Sequence, residues 1–385
     1  MIKKISSVVT AVLICSSVFA NSQKELFDRT AKHLDMGGIH FQYQNLENLD
    51  EQLHFLIDFC EKTMRNAPSQ QMAIKKLLNT LKTLNYKDLQ AVGSSTVKLS
   101  PTLYSNKFAV TVAPGTAGTL NSLQSRKNFK FRYGRNLPAE TILAYGAYWD
   151  WNNFYSDLEK SFPDKELFKN YSLMAEQMLG VKLQALAANI TGEFFGTLCR
   201  GAKPEQMSFA IVIPDSNNLL KQLAVKYFGP TLKQYNDGSL LWTMPVTASD
   251  FGSAVNVYFA RRQVFIYSGN AKLSELLNTS GSKTKLSAVN PAIFGFLNNI
   301  EGSSFMVSNF NPKDFNKQTD SKSYQCGSVC QVTPDGCLVS AKTNFNMHNI
   351  IEYKPLLDII TEMIQDTAQE MPQSKKTEEY TPMPL

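Results

Sequence analysis

Three cysteines lie within twelve residues, spaced Cys326-x3-Cys330-x6-Cys337, and His348 follows eleven positions later. Two chemistries suit this set. Three thiolates and an imidazole can hold a tetrahedral zinc ion, but the spacing fits no standard knuckle. In an oxidising compartment a disulfide between two of the three is the better expectation. The segment Thr333-Pro334-Asp335-Gly336 reads as a tight turn, with Pro334 at its second position and Gly336 at its fourth. It sets Cys330 and Cys337 on facing strands a few rungs out of register, and Cys326 competes for either, so the pair stays open. The closed loop is short and its entropic contribution is about 2–3 kcal/mol.

The other reactive residues are sparser. His33, Asp35 and His40 could meet around an ion if the Gly37-Gly38 turn folds back, but such loose trios arise often by chance, and no metal site is expected. Ser280 and Ser282 each stand three residues before a lysine. The Ser-Asp-Asn and Lys-Thr-Gly partners of that acyl-transfer motif are absent, so the segment reads as a polar loop. There is no P-loop, no G-x-G-x-x-G, no G-x-S-x-G and no H-E-x-x-H. The densest aromatic stretch is YGAYWDWNNFY, where Tyr145, Tyr148, Trp149 and Trp151 are the candidate ligand-binding side chains. Their spacing, first of period two and then helical, equally suits core packing at a strand-to-helix junction. No catalytic residue and no cofactor is expected.

The elements that must position these residues are mixed. The chain opens on a short cationic start (Lys3, Lys4), an apolar run from Ile5 to Phe19 and small residues at Val18 and Ala20, the layout of a signal peptide over 1–20. Residues 21–86 read as a helical segment. A first helix covers about 23–34; then Leu46, Leu49, Leu53, Leu56, Cys60 and Met64 form one stripe, and Met72 to Leu84 form another after Pro68. From Leu89 strand-like runs dominate, among them LQAVGSSTVKL, KFAVTVA, ETILAYGAYW and SFAIVIP, with AVNVYFA and QVFIYSG turned at Arg261-Arg262. Asp150 is placed to cap a helix carrying Trp151, Phe154 and Tyr155, a longer helix follows over about 165–188, and Asp215 or Ser216 is placed to cap another. A last amphipathic helix covers about 353–367, and the proline-containing end, 368–385, has no apolar period.

Strands follow one another mainly through turns, without sustained βαβ alternation, so the expected class is α+β with mainly antiparallel sheets. Two related tandem units, 87–200 and 201–367, would account for a partial repetition of the order helix, strand, helix. Net charge is +6, falling to +4 (37 basic against 33 acidic side chains) once Lys3 and Lys4 leave with the leader. The basic residues are scattered, so no phosphate-tracking stripe exists and no nucleic-acid partner is expected. No other apolar run is long enough to span a bilayer, so the mature chain is expected to have no transmembrane segment.

The order LQAVGSSTVKL, KFAVTVAPGTAGTLNSL, LPAETILAYGAYWDWNNFYSDL, VNVYFARRQVFIYSGNAKLSELL and NPAIFGFL resembles a group of exported bacterial proteins that carry a domain of unknown function. The resemblance covers roughly 75–315 and rests on turns, caps and strand ends. It implies an exported envelope protein and carries over no catalytic residue. The cysteine cluster and the last helix lie outside it. The expectation is a periplasmic or extracellular, non-enzymatic protein that binds or scaffolds, its partner an envelope protein or an apolar small molecule. A periplasmic carrier of an apolar ligand such as a lipid is the first alternative, and a hydrolase with a dispersed site the second.

Overall fold

A computed structural model describes residues 24–46, 89–113, 127–162, 165–201, 207–249, 252–268, 284–311 and 323–348, with Leu49, Glu51, Phe55 and Asp58 between the first two segments. The leader, most of the helical segment over 45–86, Cys60, the last helix and the terminal segment lie outside these residues. So do the segments GTAGTLNSLQ, PKDFNK and AKLSELL.

The protein is α+β. Among the described residues thirteen strands form one antiparallel sheet: β1 (His40–Asn45), β2 (Leu89–Ser100), β3 (Leu103–Val112), β5 (Thr141–Trp149), β6 (Gly192–Arg200), β7 (Met207–Pro214), β8 (Lys233–Gln234), β9 (Leu240–Ser249), β10 (Gly252–Ala260), β11 (Gln263–Ser268), β13 (Ser304–Phe310), β14 (Tyr324–Thr333) and β15 (Gly336–Thr343). Their order is β1-β2-β3-β15-β14-β13-β5-β6-β7-β11-β10-β9-β8, and β4 (Phe129–Lys130) pairs separately with β12 (Glu301–Gly302). Outward from the central β13–β5 pair, each side is a three-strand meander followed by three strands in reverse sequence order: β13-β14-β15 then β3-β2-β1, and β5-β6-β7 then β11-β10-β9.

Turn chemistry sets much of this pairing. Pro101 and Thr102 join β2 to β3, Pro334 and Asp335 join β14 to β15, and Arg261 and Arg262 join β10 to β11. Arg262, the second residue of its turn, takes the left-handed conformation (φ 65°), and its amide donates to Asn218 Oδ1 at 3.0 Å. β1 was not expected from the sequence.

Among the described residues seven helices accompany the sheet: α1 (Lys24–Ala31), α2 (Trp151–Ser161), α3 (Lys165–Leu179), α4 (Leu183–Asn189), α5 (Leu219–Phe228), α6 (Leu286–Val289) and α7 (Pro291–Phe294). The helix expected over 165–188 is two helices. Gly180 (φ 70°) adopts the left-handed turn that ends α3, with its amide donating to the Glu176 carbonyl at 2.7 Å. Among the described residues no helix is long and apolar enough to cross a membrane.

One sheet face is covered at its centre by Phe131, Leu137 and the segment from Leu286 to Ile300, which bury Phe305, Val307, Ala144, Phe195 and Val212. α1 covers the same face over β2 and β3, where Thr30 and Thr111 join hydroxyls at 2.7 Å. The opposite face is covered at one end by α5, through Ala224 against Phe259 and Val264, and elsewhere by a small cluster that includes Phe310, Tyr324, Cys326 and Phe345.

Candidate functional site

Cross-strand partners share one face of a pleated sheet, so register decides which side chains meet. One rank on the face opposite α1 runs Ser328, Met306, Tyr145, Gly196, Ile211 from β14 to β7. The next runs Phe108, Val339, Cys330, Ser304, Ala147 from β3 to β5. Thus the aromatic stretch and the cysteine segment, more than 170 positions apart in sequence, lie on one face.

That face stays partly open. Phe108, Leu143, Tyr145, Ile211 and Met306 all point to it, and each is between 37% and 45% exposed. Exposed apolar side chains are ordinary when scattered; a contiguous group in mid-sheet is not. Between Tyr145 and Ile211 the floor is Gly196, where an added Cβ would meet no heavy atom within 4 Å. On the opposite, packed face the contrast is sharp. A Cβ at Gly146 would come within 2.1 Å of Phe305 Cε1.

The four aromatic candidates divide. Tyr145 and Trp149 lie on the open face with ring centroids 6.4 Å apart. Burial raises the Tyr145 hydroxyl above its ordinary range, against hydrogen bonds with Trp149 and Ser304 that lower it. Tyr148 lies on the packed face, stacked on Phe129 at 3.9 Å with the rings 7° from parallel. Trp151 opens α2, where Asp150 caps the helix by accepting from the Asn153 amide at 3.1 Å. Its ring meets Trp149 edge-on at 5.5 Å, and its Nε1 is buried without a hydrogen-bond partner.

Opposite Tyr148 on β6, Glu193 Oε1 is also buried without a partner. Burial raises that carboxyl despite Arg132, whose Nε stands 3.6 Å from Oε2. Burial likewise pushes the adjacent Tyr133 hydroxyl up to about 12.

Cys326, Cys330 and Cys337 are thiols in this structure, as is the buried Cys199. Cys326 is buried opposite Ser308 and Thr343, which pushes its thiol up to about 11. Cys330 and Cys337 are half-buried. A hydrogen bond with Cys337 holds the Cys330 thiol down to about 6, against its burial and with help from the Ser303 and Ser304 hydroxyls, while Cys337 is correspondingly raised.

The histidines go elsewhere. His33 faces Asp335 at 3.4 Å, and Asp35 takes the Lys107 ammonium at 2.8 Å. His40 stacks on His348 with centroids 3.5 Å apart, away from the cysteines. Burial lowers both imidazoles, and at His348 the charge of His40 adds to it. Among the described residues no three His, Cys, Asp or Glu side chains are grouped to hold a metal ion.

Sequence reasoning singled out neither Gly196 nor Phe108, Ile211 and Met306. In SFAIVIP the apolar residues occupy both strand faces, the pattern of a strand covered on both sides, so nothing marked one face as open. Comparison with known proteins gives no assignment: no protein-family model, no curated protein and no solved structure matches the chain.

Proposed function

We propose that this is an exported, non-enzymatic binding protein of the bacterial envelope, and that its binding surface is the open sheet face around Tyr145. The observation that carries the reading is the contiguous exposure of Leu143, Tyr145, Ile211 and Met306 in mid-sheet, since a row of apolar side chains left in water marks an interaction surface. Export is inferred from the leader-like first twenty residues, and the kinship with exported bacterial proteins from the strand and turn motifs over 75–315. The matching strand orders on the two sides of the β13–β5 pair support reading the sheet as two related units, one of them assembled from both ends of the chain.

A photo-crosslinking side chain at Met306 tests the surface. Irradiation in the producing cell should yield an adduct with an envelope protein or a lipid, and the same probe at Glu159 on α2 should yield none. Equal capture at both positions, or capture at neither, contradicts the reading.

The hollow over Gly196 favours a second reading, a carrier of an apolar small molecule such as a lipid. Native mass spectrometry of protein recovered from the envelope should then show a bound species of lipid mass that organic extraction removes. A clean apo mass contradicts the carrier and leaves the protein-binding surface standing.

A further inference from the structure

The register resolves which of the clustered cysteines can react with one another. Cys330 stands opposite Val339 and Cys337 opposite Val332, so the two cysteines are diagonal neighbours on the same face of β14 and β15. Cys326 is four residues along an extended strand from Cys330, about 13 Å away. From Cys337 it is further still, because its own partner is Thr343 at the other end of β15. Neither distance can be bridged by a disulfide. The Cys330 and Cys337 thiols, in contrast, already share a hydrogen bond, and both are partly open to solvent.

We propose that Cys330 and Cys337 form a redox-active dithiol at the edge of the open sheet face, oxidised by thiol–disulfide exchange with a disulfide-bearing oxidant. Cys330 is the attacking sulfur. It stands directly opposite Ser304 on the same face of the sheet, where a hydroxyl can donate to its thiolate, and the hydrogen bonds it receives lower its thiol. Its thiolate attacks one sulfur of the oxidant R–S–S–R, forming a mixed disulfide and expelling RS⁻. The Cys337 sulfur, as it loses its proton to the expelled thiolate, attacks the Cys330 sulfur and displaces the second RS⁻. The two protein thiols lose two electrons and two protons, and the oxidant leaves as two thiols.

The geometry also sets how the bond behaves. Diagonal partners in an antiparallel pair have Cα atoms about 7–8 Å apart, whereas unstrained disulfides want about 4.4–6.8 Å. Closing the bond therefore requires the strands to twist toward each other next to the Pro334-Asp335 turn. A disulfide under that strain is easily reduced, which suits a reversible site and not a permanent staple.

The test uses the full chain, equilibrated in buffers of reduced and oxidised glutathione, quenched with iodoacetamide and mapped without reduction. Under oxidising poise the linked peptide should join Cys330 to Cys337. C326S should leave it unchanged, and C330S and C337S should each abolish it. A second measurement needs no oxidation: at pH 6.5, C337A, which leaves no donor at that position, should slow alkylation of Cys330 roughly five-fold, because the thiolate fraction falls further than the thiol's nucleophilicity rises. Full alkylation of both cysteines under oxidising poise, a linkage through Cys326, or a Cys330 rate indifferent to C337A would each overturn the proposal. Unchanged circular dichroism of the variants separates these outcomes from misfolding.

Discussion

Two glycines in neighbouring strands of the sheet do opposite work. Gly146 lets the Phe305 ring lie against the backbone of β5, so Gly146→Ala forces the ring or the strand aside, and overpacking of this kind costs about 1–3 kcal/mol. Gly196 supports nothing, and Gly196→Ala should leave stability unchanged or raise it by about 0.5–1 kcal/mol, the usual penalty of glycine inside a strand. Urea unfolding of the two variants checks both signs, and equal effects would mean that the open face is not open. Asp335 makes a third residue-scale case. Burial pushes its carboxyl up, yet hydrogen bonds from Lys32, Arg29 and His33 outweigh it and hold the group down to about 2. Arg29 Nε lies 3.1 Å from Oδ1 and Lys32 Nζ 2.5 Å from Oδ2. Because the folded value lies below the ordinary carboxylate range of about 4, the stabilisation is complete above that range and is lost as pH falls from about 4 to about 2. Asp335→Asn should therefore be less stable than wild type at pH 7, by about 1–3 kcal/mol, with the gap closing over that acidic window. A gap that persists at pH 2 contradicts the assignment.

Helix ends are where local sequence and structure agree most closely. Asp150 was readable as a cap because a short acidic side chain precedes the apolar residues Trp151, Phe154 and Tyr155, and its carboxylate does accept from the Asn153 amide. Asp150→Ala should cost about 1 kcal/mol and shift the fluorescence of Trp151, whose ring the first turn of α2 holds against Trp149 and Phe194. Unchanged emission and stability would show that the cap does not matter. Asp215 is subtler. The helix begins after Asn218, yet the buried Asp215 carboxylate reaches forward to the Leu220 and Lys221 amides at 2.9 and 3.1 Å. The sequence made the residue visible, but not its reach of five and six positions. Strand pairs joined by two-residue turns were equally legible from Pro334 and the Arg261-Arg262 pair. β1 was not, because HFQYQN lacks the aliphatic alternation that marks a half-buried strand and belongs to the sheet through its ladder with β2. The division of the aromatic stretch was hidden for a related reason. Which of Tyr145 and Tyr148 meets solvent depends on what covers each sheet face, and part of the covering, Leu286 to Ile300, comes from more than a hundred residues away, beside the nearer Phe129, Phe131 and Leu137.

At the scale of the whole molecule, one continuous sheet carries the open face while its coverings are unevenly anchored. The central strands bury Phe305, Val307 and Ala144 completely or nearly so, whereas α3 contains no buried residue and exposes Tyr171, Met174 and Met178 along one side. Local stability follows buried contact, so amide hydrogens of α3 should exchange well before those of β5 and β13. Simultaneous exchange would indicate that α3 is packed more tightly than its burial shows. The class of the fold was accessible from turns and strand runs, but strand order was not, because it is fixed by pairings such as β3 with β15 that join distant parts of the chain. That Tyr145 and Cys330 share one face, in neighbouring ranks with β13 between them, follows from that order and its register. In the proposed function, a partner sits in the hollow between Tyr145 and Ile211. Gly196→Phe fills it without displacing a neighbouring atom at Cβ. The direct measurement is the yield of photo-crosslinked adduct from Met306 in cells with and without that substitution. The yield should fall at least about ten-fold, equivalent to roughly 1.4 kcal/mol of binding, with the melting temperature retained. An undiminished yield from a folded Gly196→Phe protein would contradict the claim that this face is the binding surface.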